Sequence, residues 1–272
     1  MIVYKKEVFN MQENKYISVH SKRKDHNVAI DRILYVLMKR NDAEVHVYGG
    51  KVYVTRRSYG EFVKELGEDF MEIRRGCLVS AIAIQDITKQ GVELINGDCL
   101  KYTARRRREI ISVMQEKKRR IISSFSRSMS FEDYRKQYIS FENMPFAFTD
   151  IEIVFNEKNK AVDWIFRYGN ESLAKLEKLP LEELIDSSFS SLFSNMDKKW
   201  LINYKRSAIY GELLETVDYS PEIDTYLKIL SFPTFKGHCG CILFDINEIE
   251  FTGSEKILLS CMGLNGNISS EK

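Results

Sequence analysis

Arginine is the most chemically loaded residue type in this chain. Arg74-Arg75 and Arg105-Arg106-Arg107-Arg108 each follow a stretch patterned like a strand, Phe70-Met71-Glu72-Ile73 and Cys99-Leu100-Lys101-Tyr102. A guanidinium presents a planar fork of donors that can bond both acceptors of a guanine edge, and its charge neutralises phosphate. Two such clusters on a rigid β framework point to a polyanion partner. On the first turn of a helix, successive side chains point about 100° apart, so one groove cannot receive four arginines. Arg105 and Arg106 are the expected contacts, with Arg107 and Arg108 on phosphate or in solvent.

A second group, His238-Cys239-Gly240-Cys241, carries the residue types that ligate zinc. Strand alternation puts Cys239 and Cys241 on one face with no further ligands in view, so buried cysteines acting as small apolar groups are expected, and no metal. The chain has no Gly-rich phosphate loop, nucleophile elbow, kinase pattern or zinc-hydrolase pattern, and its four histidines are scattered. An enzyme is not expected.

The charge that surrounds these groups is divided. Residues 1–138 carry 28 Lys+Arg against 18 Asp+Glu, and residues 139–272 carry 13 against 21. The formal net charge of +2 therefore hides a basic half and an acidic half, and only one half suits a polyanion. A length of 272 residues fits about two domains. No apolar run reaches the roughly 18 residues of a membrane-spanning helix, and Met1-Ile2-Val3-Tyr4-Lys5-Lys6-Glu7 lacks the apolar core of a signal peptide. Five cysteines make no disulfide framework, which fits a reducing compartment, so a cytoplasmic protein without membrane contact is expected.

The elements that position the arginines are short. Tyr16-Ile17-Ser18-Val19-His20 alternates as a strand, and residues 44–48 and 51–55 flank Gly49-Gly50 as a hairpin. Residues 92–95 and 99–102 form a second hairpin across Asn96-Gly97. Between them, Ser58, Glu61 and Gly67 mark both ends of a short helix. From Arg105 the period becomes helical, with Ile110, Met114, Ile121 and Phe125 on one stripe. Residues 123–130 interrupt it, and Ser130-Phe131-Glu132-Asp133 starts a new helix that continues through Tyr134, Tyr138 and Phe141. That stripe packs between domains, against a second copy, or within the chain. The expected domains are residues 1–122, a helical linker at 123–140, a second domain at 141–252 and a tail at 253–272. In the second domain, strands at 147–155 and 161–168 precede helices near 170–178, 180–185 and 198–212, and strands at 214–219, 225–233 and 239–245 close it.

Residues 15–114, above all the segments 70–80 and 100–110, resemble the LytTR-type DNA-binding domain of bacterial transcription regulators. Arg32-Ile33-Leu34-Tyr35-Val36 looks like its early strand. The resemblance implies a β-rich fold with short helices whose loops enter successive major grooves. It assigns DNA contact to Arg75 and to Arg105 and Arg106, with Arg74 beside them, and to a third region at Lys39, Arg40 and Asn41. Arg74, Gly76, Cys77 and Ser80 depart from the usual family wording, where a histidine, a small hydroxyl residue, an aromatic and an asparagine are common. Loop-based reading of the groove gives modest contact area per copy, which implies a homodimer or adjacent half-sites.

Residues 140–250 resemble a PAS sensory domain, through Asn170-Glu171-Ser172-Leu173-Ala174-Lys175-Leu176 and through Gly240-Cys241-Ile242-Leu243-Phe244-Asp245. The resemblance implies an α+β fold, an antiparallel sheet with helices on one face. A ligand would lie between sheet and helices, with Phe148, Phe155, Trp164, Phe166, Leu173, Phe189, Leu192, Phe193, Leu227, Ile229 and Leu243 as candidate lining; the competing reading is a filled core. His238 is misplaced for haem and no cysteine stands near Asn170 for a flavin adduct, so no cofactor is expected beyond an unidentified small molecule. Two functions follow. One is a bacterial transcription regulator with a C-terminal sensor or dimerisation domain. The other is a signalling adaptor whose PAS-like half binds a protein partner while the basic half touches nucleic acid or an anionic surface without selectivity.

Overall fold

Alternating stretches closed by tight turns build the N-terminal half. In the computed structural model, which describes residues 15–125, 129–194 and 198–248, β1 (Tyr16–Ser21) and β2 (Lys24–Ala29) form a two-stranded ribbon. Strand β1 buries Ile17, Val19 and Ser21 and exposes the residues between, the period of two that its sequence carries. Next come β3 (Ile33–Lys39), β4 (Asp42–Val47), β5 (Val52–Thr55), β6 (Phe70–Arg74) and β7 (Cys77–Ser80), an antiparallel sheet of order β5-β4-β3-β7-β6. Gly49 and Gly50 hold φ of 88° and 82° at the β4–β5 turn, where a side chain would be strained. The turn is longer than the two residues expected, because the Val47 amide closes onto the Lys51 carbonyl at 3.0 Å and draws Tyr48 and Lys51 into it.

Helix α1 (Tyr59–Leu66) starts at Ser58 in a capping box with Glu61 and buries Phe62 and Leu66. Burying a side chain such as Phe62 contributes roughly 1.5–3 kcal/mol. Strands β8 (Ile84–Ile87), β9 (Val92–Leu94) and β10 (Cys99–Leu100) make a small antiparallel sheet, with Asn96-Gly97 at its second turn. Helix α2 (Arg107–Ser123) then lays Ile110 into the core formed with Ile73, Val79, Ile84 and Leu94.

In the C-terminal half, α3 (Phe131–Gln137) begins with a capping box between Ser130 and Asp133. Strands β11 (Ala147–Phe155) and β12 (Ala161–Gly169) lead to α4 (Glu171–Glu177), α5 (Leu181–Leu184), α6 (Phe189–Leu192) and α7 (Lys198–Tyr210). Strands β13 (Leu214–Ser220), β14 (Thr225–Pro233) and β15 (His238–Asp245) complete an antiparallel sheet of order β12-β11-β15-β14-β13. Helices α4 to α7 contribute Leu173, Leu184, Phe189, Trp200 and Tyr204 to a core that includes Trp164, Phe166 and Ile229 of the sheet. This is the expected antiparallel sheet with helices over one face.

The other face is covered by α3, whose Tyr134, with Tyr138 just beyond, packs on Phe148 and Tyr168. Alternation along β11 explains the division, since Ile151 and Ile153 join the helical side while Phe148 joins the α3 side. A buried network pins α3 there. The Tyr138 hydroxyl donates to Asp150 at 2.6 Å, the Thr234 hydroxyl donates to the same oxygen at 2.6 Å, and His238 Nδ1 lies 2.7 Å from the other. The halves also touch. The Tyr48 hydroxyl donates to Glu212, whose carboxylate accepts two hydrogen bonds from Arg206 at 2.6 and 2.7 Å, and the Tyr48 and Tyr210 rings stack at 5.7 Å. Phe125 packs on Phe155 at 6.2 Å, so at this end the linker stripe is occupied within the chain. The expected tail at 253–272 lies outside the described residues.

Candidate nucleic-acid interface and sensory cavity

Three basic turns meet at one end of the N-terminal sheet. Strand β3 runs into Lys39-Arg40-Asn41, and β7 begins after Arg75-Gly76. Because Leu37 of β3 faces Cys77 of β7 in antiparallel register, the two turns share an end. The Met38 amide donates to the Gly76 carbonyl at 2.8 Å and fastens them together. Gly76 has φ 73°, and a Cβ there would come within 3.2 Å of Met38 Cβ, so the departure to glycine at this position has a steric reason. On the far side of β6, the Thr103 amide donates to the Ile73 carbonyl at 3.2 Å. That bond places the 3-10 turn Ala104–Arg106 beside the same end.

The expected contact residues separate by their electrostatic state. Arg40, Arg75 and Arg105 are exposed, and none meets a carboxylate among the described residues. Asn41 is exposed beside them, and Lys39 donates to Glu44 at 2.8 Å. Arg106 differs: its guanidinium gives two hydrogen bonds to Glu109, at 2.7 and 3.0 Å, and lies 3.8 Å from Glu72. Its pKa is raised, first by the bond to Glu109. Arg74 is half-buried and its Nε is buried without a hydrogen-bond partner, so it is not wholly turned to solvent. Arg107 donates to the Ile87 carbonyl at 3.0 Å, while Arg108 is exposed. The Arg106 and Glu109 pair was readable as a helical i,i+3 spacing; the approach of Glu72 was not.

The C-terminal half holds a cavity between sheet and helices, lined by Thr149, Ile151, Trp164, Phe166, Glu177, Phe189, Trp200, Tyr204, Ser220, Glu222, Leu227, Ile229, Cys241 and Leu243. Of the candidate lining residues, Trp164, Phe166, Phe189, Leu227, Ile229 and Leu243 stand there. Phe155, Leu173, Leu192 and Phe193 belong to the surrounding core without lining the space. Phe148 is a correction: it points to the opposite face and packs on Tyr138 at 5.0 Å, because one step along a strand reverses the side chain. The polar members Glu177, Tyr204, Ser220 and Glu222 were not anticipated, since a glutamate ending a short helix reads as a solvated one. Cys239 and Cys241 share a face, with sulfurs 3.6 Å apart, and among the described residues no group of three His, Cys, Asp or Glu could hold a metal.

The family profile of the LytTr DNA-binding domain matches residues 23–115, so this stretch is a LytTr domain. Among solved structures, the LytTr DNA-binding domain of a Bacillus cereus response regulator is similar at 15% identity with a TM-score of 0.33, covering 37% of this chain and 96% of its own. A LOV protein of Rhodobacter sphaeroides is similar at 10% identity with a TM-score of 0.32, covering 51% of this chain and 84% of its own. No curated protein matches the chain. Among the described residues no helix is long and apolar enough to cross a membrane.

Proposed function

We propose that this chain, which carries a LytTr DNA-binding domain at residues 23–115, is a cytoplasmic bacterial transcription regulator that binds duplex DNA with sequence selectivity. The observation that carries the reading is the meeting of three basic turns at one sheet end, with Arg40, Arg75 and Arg105 exposed and without carboxylate partners. Unpaired guanidinium groups on hydrogen-bonded turns meet phosphate or a guanine edge with little reorganisation. Arg106, neutralised by Glu109 and Glu72, contributes positioning more than recognition. The C-terminal half tunes this binding by sensing a small molecule or by pairing two copies. A ligand there acts only through its different affinity for the arrangements that do and do not bind DNA. The path between the halves is physical: α2 starts at the arginine cluster, Phe125 just past its last residue packs against Phe155, and Tyr48 of the β4–β5 turn bonds Glu212.

Selection of duplexes from a random pool by the purified full-length chain tests this proposal. Enrichment of a sequence with half-sites about one helical turn apart is expected. Equal recovery of all duplexes, with affinity that tracks salt alone, would favour the adaptor reading instead.

A further inference from the structure

We infer that the cavity of the C-terminal domain is a site for a small organic cation, an alkylamine or a methylated ammonium, with Glu177 as counter-ion and Trp164, Trp200 and Tyr204 as its aromatic wall. This rests on reading the domain as sensory and names what it senses. Glu177 is the last residue of α4 and its side chain lines the cavity. It is only 9% exposed, and among the described residues no hydrogen bond or ion pair reaches it. Its surroundings disfavour a negative charge three times over. Burial removes water, a second carboxylate, Glu222, lines the same space, and the C-terminal end of a helix carries partial negative charge. A carboxylate so placed takes either a proton or a cation.

The rings favour the cation. Trp164 meets Tyr204 edge-on at 5.2 Å and Trp200 lies 6.4 Å from Tyr204, so three aromatic rings and a carboxylate line one small space. An ammonium within about 6 Å of such rings is attracted by their quadrupoles, most strongly once desolvated. The neighbouring Lys199 lies 5.0 Å from the Trp200 ring centroid, held by Asp218 and the Tyr219 carbonyl. Two carboxyl groups lining one space disfavour an anion there. The space measures ≈ 420 Å³ between its walls, open mouth included. Burial first, and Glu222 second, push the Glu177 carboxyl up to about 7, so near neutral pH proton and cation compete for it. The other titratable groups that face it are Tyr204 of α7 and Cys241 of β15.

The chain's two tryptophans, Trp164 and Trp200, both line the cavity, so intrinsic fluorescence reports its occupancy directly. The full-length chain is titrated at about pH 8 and constant ionic strength with ethylammonium, tetramethylammonium and choline chlorides. Ethanol, 3,3-dimethylbutan-1-ol and acetate serve as neutral and anionic counterparts. At least one cation should give a saturable change that weakens about tenfold or more in Glu177→Gln, and by a similar factor in the unaltered chain at about pH 5.5, which needs no variant to fold. A neutral probe that binds as well as its cationic counterpart, or a cation response unchanged by both interventions, overturns the cation assignment and leaves the sensory reading standing. No saturable response to any cation overturns it too. Saturable cation binding with no change in affinity for the selected duplex would instead sink the sensory reading and keep the site.

Discussion

The two halves handle charge in opposite ways. At the N-terminal sheet end, Arg75 and Arg105 project from hydrogen-bonded turns into solvent, whereas Glu177 is buried against an aromatic-walled cavity and, among the described residues, no cation pairs with it. An exposed guanidinium stays hydrated until a partner arrives, so its presence costs the fold almost nothing and its energy is kept for binding. A buried carboxylate costs the fold at once unless it is neutralised. On the proposed function, the basic surface keeps its charge for a polyanion and is nearly silent in stability, while the acidic cavity is written into the stability of its own domain.

The largest effect is expected from the double substitution Arg75→Ala with Arg105→Ala. Each bidentate contact to a base edge gives about fivefold to a hundredfold discrimination, so affinity for the selected duplex should fall on the order of a hundredfold or more while the melting temperature stays unchanged. Filter binding and calorimetry read the two quantities; a collapse of the fold with the affinity would erase the distinction drawn between the halves.

Glu177→Gln should do the reverse. Its carboxyl is raised from 4.5 to about 7 in the folded chain, so between those values the unfolded chain ionises first and stability drains away as pH rises. The loss begins near pH 4.5, ends near pH 7 and amounts to about 3 kcal/mol. Glutamine does not ionise, so the variant should be more stable than the parent above pH 7, with the pH slope of that window removed. Urea titrations at several pH values measure it, and identical slopes would mean the carboxyl is not held as described. DNA affinity at acid pH should be little changed.

Smaller in effect, Tyr138→Phe removes one of the two hydroxyls bonded to the same oxygen of buried Asp150 and should cost about 1–3 kcal/mol, read by hydrogen exchange in α3. Arg106→Ala should weaken DNA binding least, clearly less than Arg75→Ala, because Glu109 and Glu72 already hold that guanidinium. A loss equal to that of Arg75→Ala would show that the ion pairs open on binding.

Local order was legible wherever a residue's neighbours in sequence are also its neighbours in space. The capping boxes at Ser58 and Ser130, the alternation of β1 and the Gly49-Gly50 turn follow from spacing within a few residues, and the structure realises them. Strand β2 is not evident in the sequence, since Lys24-Asp25-His26-Asn27 has no apolar alternation; it pairs with β1 along the backbone, with a side-chain bond between His20 and Asp25 across the ribbon. The lengths of turns also shifted, as at Tyr48 and Lys51, because the final amide bonds of a hairpin depend on its register.

A basic half and an acidic half, the arginine clusters, and two β-rich units joined by helical segments are legible in the chain, because charge and periodicity are properties of residue order. Which charges stand open and which are held depends on packing. It brought Gly76 to Met38 and Thr103 to Ile73, so three distant turns became one surface; it tied Arg106 to Glu72 and left Arg75 open; it turned Phe148 away from the cavity and Glu177 into it. Each of those outcomes depends on contacts between residues far apart in the chain, where the cost of burying a charge and the strength of an ion pair are set by whatever the fold places alongside.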